Sequence, residues 1–158
     1  MSRNNKVVWS EGMFLRPQHF QQHDRYMENF IEERCSVLHT FPWGFSELQL
    51  DQQLLGLGKI AISRASGAFP DGTPFSIPDD DEPPLALDVP ENTHEAQVYL
   101  GLPLRRPGTP EVDSSGDPES LARYQPIEYE IRDSSTIGGE ESGVQIGKLR
   151  TRLLLETD

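Results

Sequence analysis

The sequence predicts a mainly β protein, an antiparallel β-sandwich entered through one N-terminal amphipathic α-helix. Three observations carry that reading. Apolar residues recur at helical spacing only in the stretch from Pro17 to Thr40. From Trp43 onward the apolar period changes to two. The hydrophobic fraction is a lean 35%, and 13 Pro and 13 Gly punctuate the 158 residues. Turn formers at that density favour short strands and long loops over a helical bundle. Strand runs without intervening helices pack as a sandwich.

Taken in order, residues 1–16 form an extended arm in which Val7, Trp9, Met13, Phe14 and Leu15 lie close together around Gly12. An arm this apolar must be covered by its own body or by a partner. Residues 17–40 form the helix. Pro17 suits its first position, where the missing N–H would be unsatisfied anyway. Phe20, Met27, Phe30, Ile31, Val37 and Leu38 fall on one side, with His23 and Arg34 as polar members of the same stripe. Phe41-Pro42 stops the helix.

Residues 41–158 form the β body. Strands are predicted at Gly44 to Leu50, at Leu57 to Arg64, at Thr73 to Ile77 and, more weakly, at Leu85 to Val89. Further strands are predicted at Gln97 to Leu104, Tyr124 to Arg132 and Val144 to Glu156. Pro70-Asp71-Gly72 is a turn with a mechanism, since Pro presets φ and Gly accepts positive φ. Pro78 to Pro84 reads as a solvated acidic loop, Arg105 to Glu119 as a mobile surface loop and Ser134 to Gly143 as a third loop. The end at Thr157-Asp158, straight after an apolar strand, predicts a domain excised from a longer protein.

Charge and cysteine usage exclude several function classes. The formal net charge is −12. Phosphate backbones repel such a surface, so no nucleic-acid partner is expected. Anionic membranes are disfavoured for the same reason, and no run of 18 apolar residues encodes a span. Cys35 is the one cysteine, so no internal disulfide can form. Val7-Val8-Trp9 is too short for a signal-peptide core. A cytoplasmic protein is expected.

Candidate chemistry is thin. His19 and His23, four apart on one helix face, could hold zinc, giving a metal-dependent enzyme as one hypothesis. A zincin would need Glu directly after the first His, and Phe20 stands there. Cys35 lacks a histidine at a catalytic spacing and reads as a small buried hydrophobe. Asp79-Asp80-Asp81-Glu82 lacks the spaced ligands and the tight Gly turn of a calcium loop. Gly56-Leu57-Gly58-Lys59 lacks phosphate-loop spacing and leads into a strand. Neither a Ser-His-Asp set nor a paired acid and base is discernible, so no metal, cofactor or catalytic residue is assigned.

Large aromatics and arginines instead concentrate around the arm and helix: Trp9, Phe14, Arg16, Phe20, Arg25, Tyr26, Phe41, Trp43 and Phe45. These types dominate interface hot spots. They would equally serve as the core joining helix to sheet. His23 and Arg34 in the helix stripe could fix register on an oligomer axis or against a partner.

The run Val8-Trp9-Ser10-Glu11-Gly12-Met13-Phe14-Leu15-Arg16-Pro17-Gln18-His19-Phe20-Gln21-Gln22, with Arg25-Tyr26, resembles the opening of the TssK family of type VI secretion baseplate subunits. Pro42-Trp43-Gly44-Phe45, Pro70-Asp71-Gly72-Thr73-Pro74-Phe75 and Val98-Tyr99-Leu100-Gly101-Leu102-Pro103-Leu104 follow in the family's order. Met13 stands where Leu is usual, and residues 79–97 and 105–143 match poorly. The resemblance covers the chain from about Lys6 to its end, roughly the N-terminal third of the family's full length. It implies a β-sandwich shoulder similar to that of siphophage receptor-binding proteins. It implies a homotrimer, docking of this part onto the wedge proteins TssF and TssG, and a C-terminal head, beyond this chain, that contacts the membrane complex. It implies no enzymatic activity and no cofactor. A structural adaptor is therefore the leading hypothesis, with a partner or oligomer surface built on Trp9, Phe14, Arg16, Phe20, His23, Arg25, Tyr26 and Arg34. A ligand- or receptor-binding sandwich with an aromatic platform on its sheet is the alternative.

Overall fold

A computed structural model describes residues 4–106, 108–117, 119–133 and 141–156. Helix α1 spans Pro17–Leu38. The strands are β1 (Gly44–Leu50), β2 (Lys59–Ile60), β3 (Ile62–Ala68), β4 (Pro74–Ile77), β5 (Leu87–Asp88), β6 (Val98–Gly101), β7 (Tyr124–Arg132), β8 (Glu141–Leu149) and β9 (Arg152–Leu155). A four-residue helix, α2 (Gln52–Leu55), separates β1 from β2. The protein is thus mainly β with one long N-terminal helix, as expected. The sheets are small: β1-β3-β4, β2-β5, β6-β9 and β7-β8. The pairs β2-β5, β6-β9 and β7-β8 are antiparallel. Ser46 meets Ser66 across β1 and β3, and the Ser63 hydroxyl reaches the Gln49 carbonyl. Those two contacts run in opposite directions along the strands, so this pair is antiparallel as well.

The chain groups into two compact units. One is Met1–Gly44 with Ala68–Pro74, and the other is Phe45–Gly67 with Phe75–Asp158. In the first unit, α1 begins with Pro at its first position and contains no Gly, and its first turn carries no acidic residue. Its last turn carries no basic one. The helix dipole is therefore uncompensated at both ends, and the helix depends on side-chain packing. It ends where His39 turns extended, three residues before Pro42. The turn at 69–73 also belongs to this unit. The Phe69 N–H donates to the Thr73 carbonyl at 2.8 Å, the Gly72 N–H to the Phe69 carbonyl at 2.9 Å. Gly72 has φ +79, the left-handed value that the Pro-Asp-Gly sequence calls for.

In the second unit the core is built by Ile62 and Ala65 of β3, Phe75 and Ile77 of β4, Ala122, and Leu149 of β8. Three polar residues share that interior: Asp81, Arg123 and Thr151. Arg123 is 2% exposed and its guanidinium donates to the Pro103 carbonyl at 2.8 Å.

Several sequence expectations are corrected. The run Leu57 to Arg64 is two strands, because the chain breaks at Ala61, whose carbonyl accepts the Asp51 N–H at 2.9 Å. The run Val144 to Glu156 is likewise two, parted at Arg150 and Thr151, where the Arg150 N–H bonds to the Arg123 carbonyl. Helix α2 was not expected. Asp51 caps it by accepting from the N–H groups of Gln53 and Leu54. The acidic segment is not wholly solvated. Asp81 is buried, accepting from the Ser76 N–H at 3.3 Å and the Leu149 N–H at 3.1 Å. Buried N–H groups need acceptors, and a short side chain reaches where backbone cannot.

The segment expected to be a mobile loop is tied down in its described part. Arg150 pairs with Asp113 at 3.1 Å and donates to the Asp117 carbonyl. Arg152 donates to the Ser120 carbonyl at 3.1 Å. Hydrogen bonds from the Ser115 hydroxyl and N–H, then from Ser120, hold the Asp113 carboxyl well below the usual carboxylate range, and Arg150 adds to the effect. The predicted loop at 134–143 falls partly on residues 134–140, outside the described residues, while Glu141 to Gly143 open β8.

A candidate interaction surface on the arm and helix

The arm folds back along α1 through polar ties and one indole. The Asn4 amide donates to the Asn29 side-chain carbonyl at 2.6 Å, and the Gln22 amide to the Asn5 carbonyl at 2.8 Å. Trp9 then sits over the first helical turns, with its ring 6.3 Å from His19, 6.3 Å from Phe20 and 6.2 Å from His23. Residues 19 and 23 can share one indole because positions four apart are neighbours on a helix face. The Trp9–His23 contact is edge-on, and the His23 Nδ1 is buried with no hydrogen-bond partner among the described residues.

His19 has a separate duty at the helix start. Its Nδ1 accepts the Arg16 N–H at 3.1 Å, while its own N–H donates to the Arg16 carbonyl at 3.0 Å. The first of these bonds is one half of a capping box, with an imidazole in place of the usual Glu. Among the described residues no three His, Cys, Asp or Glu side chains converge on a metal-sized site.

Further along the same helix, Tyr26 stacks on Phe30 at 6.0 Å, and the Arg34 guanidinium lies 5.6 Å over the Phe30 ring. Residues 26, 30 and 34 are successive i, i+4 neighbours, so they form one ladder. A cation over an exposed ring contributes about 0.5–1 kcal/mol. Phe41 and Trp43 meet edge-to-face at 6.2 Å just after the helix.

Of the expected surface residues, the structure therefore gathers Trp9, Phe20 and His23 into one group, with Tyr26 and Arg34 in a second. Arg16 stands at the N-cap. Phe14, which is 81% exposed, and Arg25 belong to neither group. Residues missed by the sequence reading are Asn4, Asn5, Gln22 and Asn29, which fasten the arm; polar side chains without periodicity carry no signal for such a role.

No residue of α1 is buried. Phe20, Met27, Phe30, Ile31, Val37 and Leu38, expected as a covered stripe, are all exposed, with Val37 reaching 85%. Cys35, expected as a buried hydrophobe, is exposed too. Val8, Phe14, Leu15 and Phe41 extend the same apolar character. Exposed apolar residues are therefore concentrated on the arm and α1. Trp43 and Phe45 are each about half exposed. Among the described residues no helix is long and apolar enough to cross a membrane.

Comparison with known proteins places this architecture in a class of secretion proteins. The family described as "Bacterial Type VI secretion, VC_A0110, EvfL, ImpJ, VasE" matches residues 19–158. A curated relative, the type VI secretion system baseplate component TssK1 of Pseudomonas aeruginosa, is 52% identical over all 158 residues. A solved crystal structure of TssK matches 97% of the chain at 43% identity with a TM-score of 0.87. The chain belongs to this TssK family. It spans 36% of the length of the Pseudomonas relative and 35% of the crystallised chain. A chain in the cryo-electron microscopy structure of a TssK-TssF-TssG baseplate subcomplex shares the fold, covering 98% of this chain and 52% of its own length. Its TM-score is 0.84 at 23% identity.

Proposed function

We propose that this chain is the N-terminal part of a structural, non-enzymatic baseplate component of the bacterial type VI secretion system. The observation that carries the reading is the 52% identity, over the whole chain, to a Pseudomonas aeruginosa protein of that name. The arm, residues 1–16, and the helix, residues 17–40, present the surface that docks onto the wedge proteins TssF and TssG. The body, residues 41–158, is the scaffold that holds them. Trp9, Phe14, Phe20 and Tyr26 supply the anchoring aromatics, and Arg16, His23, Arg25 and Arg34 the polar register. The full-length protein is a homotrimer that needs no cofactor and contacts the membrane complex through a head outside this chain. It works in the cytoplasm, at the baseplate docked on the inner membrane. The exposed apolar residues of the arm and α1 support the docking assignment, because large exposed apolar patches mark protein–protein interaction sites.

The test is co-elution of the full-length protein with a purified TssF–TssG subcomplex. Trp9→Ala with Phe14→Ala, in a variant that remains a folded trimer, abolishes co-elution if the arm is the docking surface. Unchanged co-elution removes the arm from the interface.

A further inference from the structure

Strands β7 and β8 pair along nine residues, from Tyr124↔Leu149 to Arg132↔Glu141, and form a sheet of two. Side chains alternate between faces. Ile127, Tyr129 and Ile131 therefore share one face with Val144 and Ile146, and Glu128 and Glu130 share the other with Glu141. Towards its far end the ribbon is bare, with Tyr129 56%, Ile131 44% and Val144 42% exposed. A two-stranded ribbon is marginal in water by itself, and a third strand is what ordinarily stabilises one.

The two edges of the ribbon differ. On β7, Val112 forms a parallel bridge to Tyr124, and Pro126 has no N–H to offer a neighbour. On β8, the end near the core is occupied, since the Leu149 N–H goes to Asp81. From Ser142 to Gly147 no further strand flanks β8 among the described residues. That run, Ser-Gly-Val-Gln-Ile-Gly, holds neither the lysine nor the proline that protects natural edges. Gly143 leaves the approach clear, because a Cβ built there meets nothing within 4 Å.

We propose that the β8 edge from Ser142 to Gly147 accepts an extended strand of a partner protein, as a third strand of this ribbon. Main-chain hydrogen bonds would hold it, and alternate side chains would set its specificity. One set is apolar and continues the face of Tyr129 and Val144. The other is basic and meets Glu128, Glu130 and Glu141, against which the ribbon sets Arg132, already paired with Glu141 at 2.5 Å. The chain's net charge of −12 favours the same partner chemistry. This surface lies on a different element from the arm and helix and does not depend on the docking described above.

The probe is a capped hexapeptide of alternating Lys and Val, with a Lys-Lys-Lys-Val-Val-Val peptide of equal composition and two versions N-methylated at alternate residues, one in each phase. Binding to the intact protein carrying this chain is read by fluorescence anisotropy and by hydrogen exchange. The alternating peptide is expected to bind at least tenfold more tightly than the block peptide and to slow amide exchange at residues 142–147. N-methylation in one phase abolishes binding and in the other leaves it. Val144→Lys, a change at an exposed position, weakens binding at least tenfold. Equal affinity for the alternating and block peptides, tolerance of N-methylation in both phases, protection elsewhere on the protein, or no binding would each overturn the proposal.

Discussion

Asp81→Ala should be far more damaging than any neighbouring change in the acidic run. The Asp81 carboxylate is 7% exposed and satisfies two main-chain donors, the Leu149 N–H through one oxygen and the Ser76 N–H through the other. Leu149 is itself buried, so its orphaned N–H costs roughly 1–3 kcal/mol. The Ser76 bond is longer and less buried, and its loss adds roughly 0.5–1.5 kcal/mol. The expected total is about 2–4 kcal/mol, or a midpoint about 1–2 M lower in urea at a slope of about 2 kcal/mol/M. Asp81→Asn keeps one acceptor oxygen of the two and should fall between. Asp80→Ala, at an exposed neighbour, should stay within about 0.5 kcal/mol. Urea titration of the 158-residue chain followed by circular dichroism measures all three. If Asp81→Ala unfolds at the same midpoint as Asp80→Ala, the buried carboxylate is not satisfying those donors and the reasoning fails.

Gly72→Ala places a side chain at φ +79 and 3.1 Å from the Glu32 Cγ, and should destabilise the arm-and-helix unit by about 1–2 kcal/mol, read as a lowered midpoint in tryptophan fluorescence. The Asp113 carboxyl, depressed by Ser115, Ser120 and Arg150, contributes stability that is fully present above the ordinary carboxylate value of about 3.9 and lost only as pH falls through its lower folded value. Thermal melts of the wild type and Asp113→Asn should therefore differ by a constant gap from pH 8 to pH 5, closing only at lower pH. Cys35 should react with a maleimide in the native 158-residue chain as fast as a model thiol, and at least tenfold more slowly once partners cover the α1 face; equal rates in both states would place Cys35 outside the covered area.

The legible part of the fold was the part written in local pattern. A 3.6-residue period with Pro17 at its head and Pro42 beyond its end located α1 to within two residues. Pro70-Asp71-Gly72 specified its turn, because few residue types accept the backbone angles it needs. Strands β1 and β7 lie where period-two alternation put them. The aromatic and arginine content of the arm and helix marked the candidate surface, and side chains four apart on a helix meet by geometry alone.

What required the tertiary structure was every feature set by a distant partner. Asp81 is buried because an N–H 68 positions away needs an acceptor. Strand boundaries at Ala61 and Arg150 are set by backbone bonds to Asp51 and Arg123. Arg150 turns a Pro- and Gly-rich stretch into a fastened one by pairing 37 positions back with Asp113. Amphipathicity showed that α1 has an apolar side, but periodicity carries no information on whether that side meets the chain's own core. The structure adds that no residue of α1 is buried.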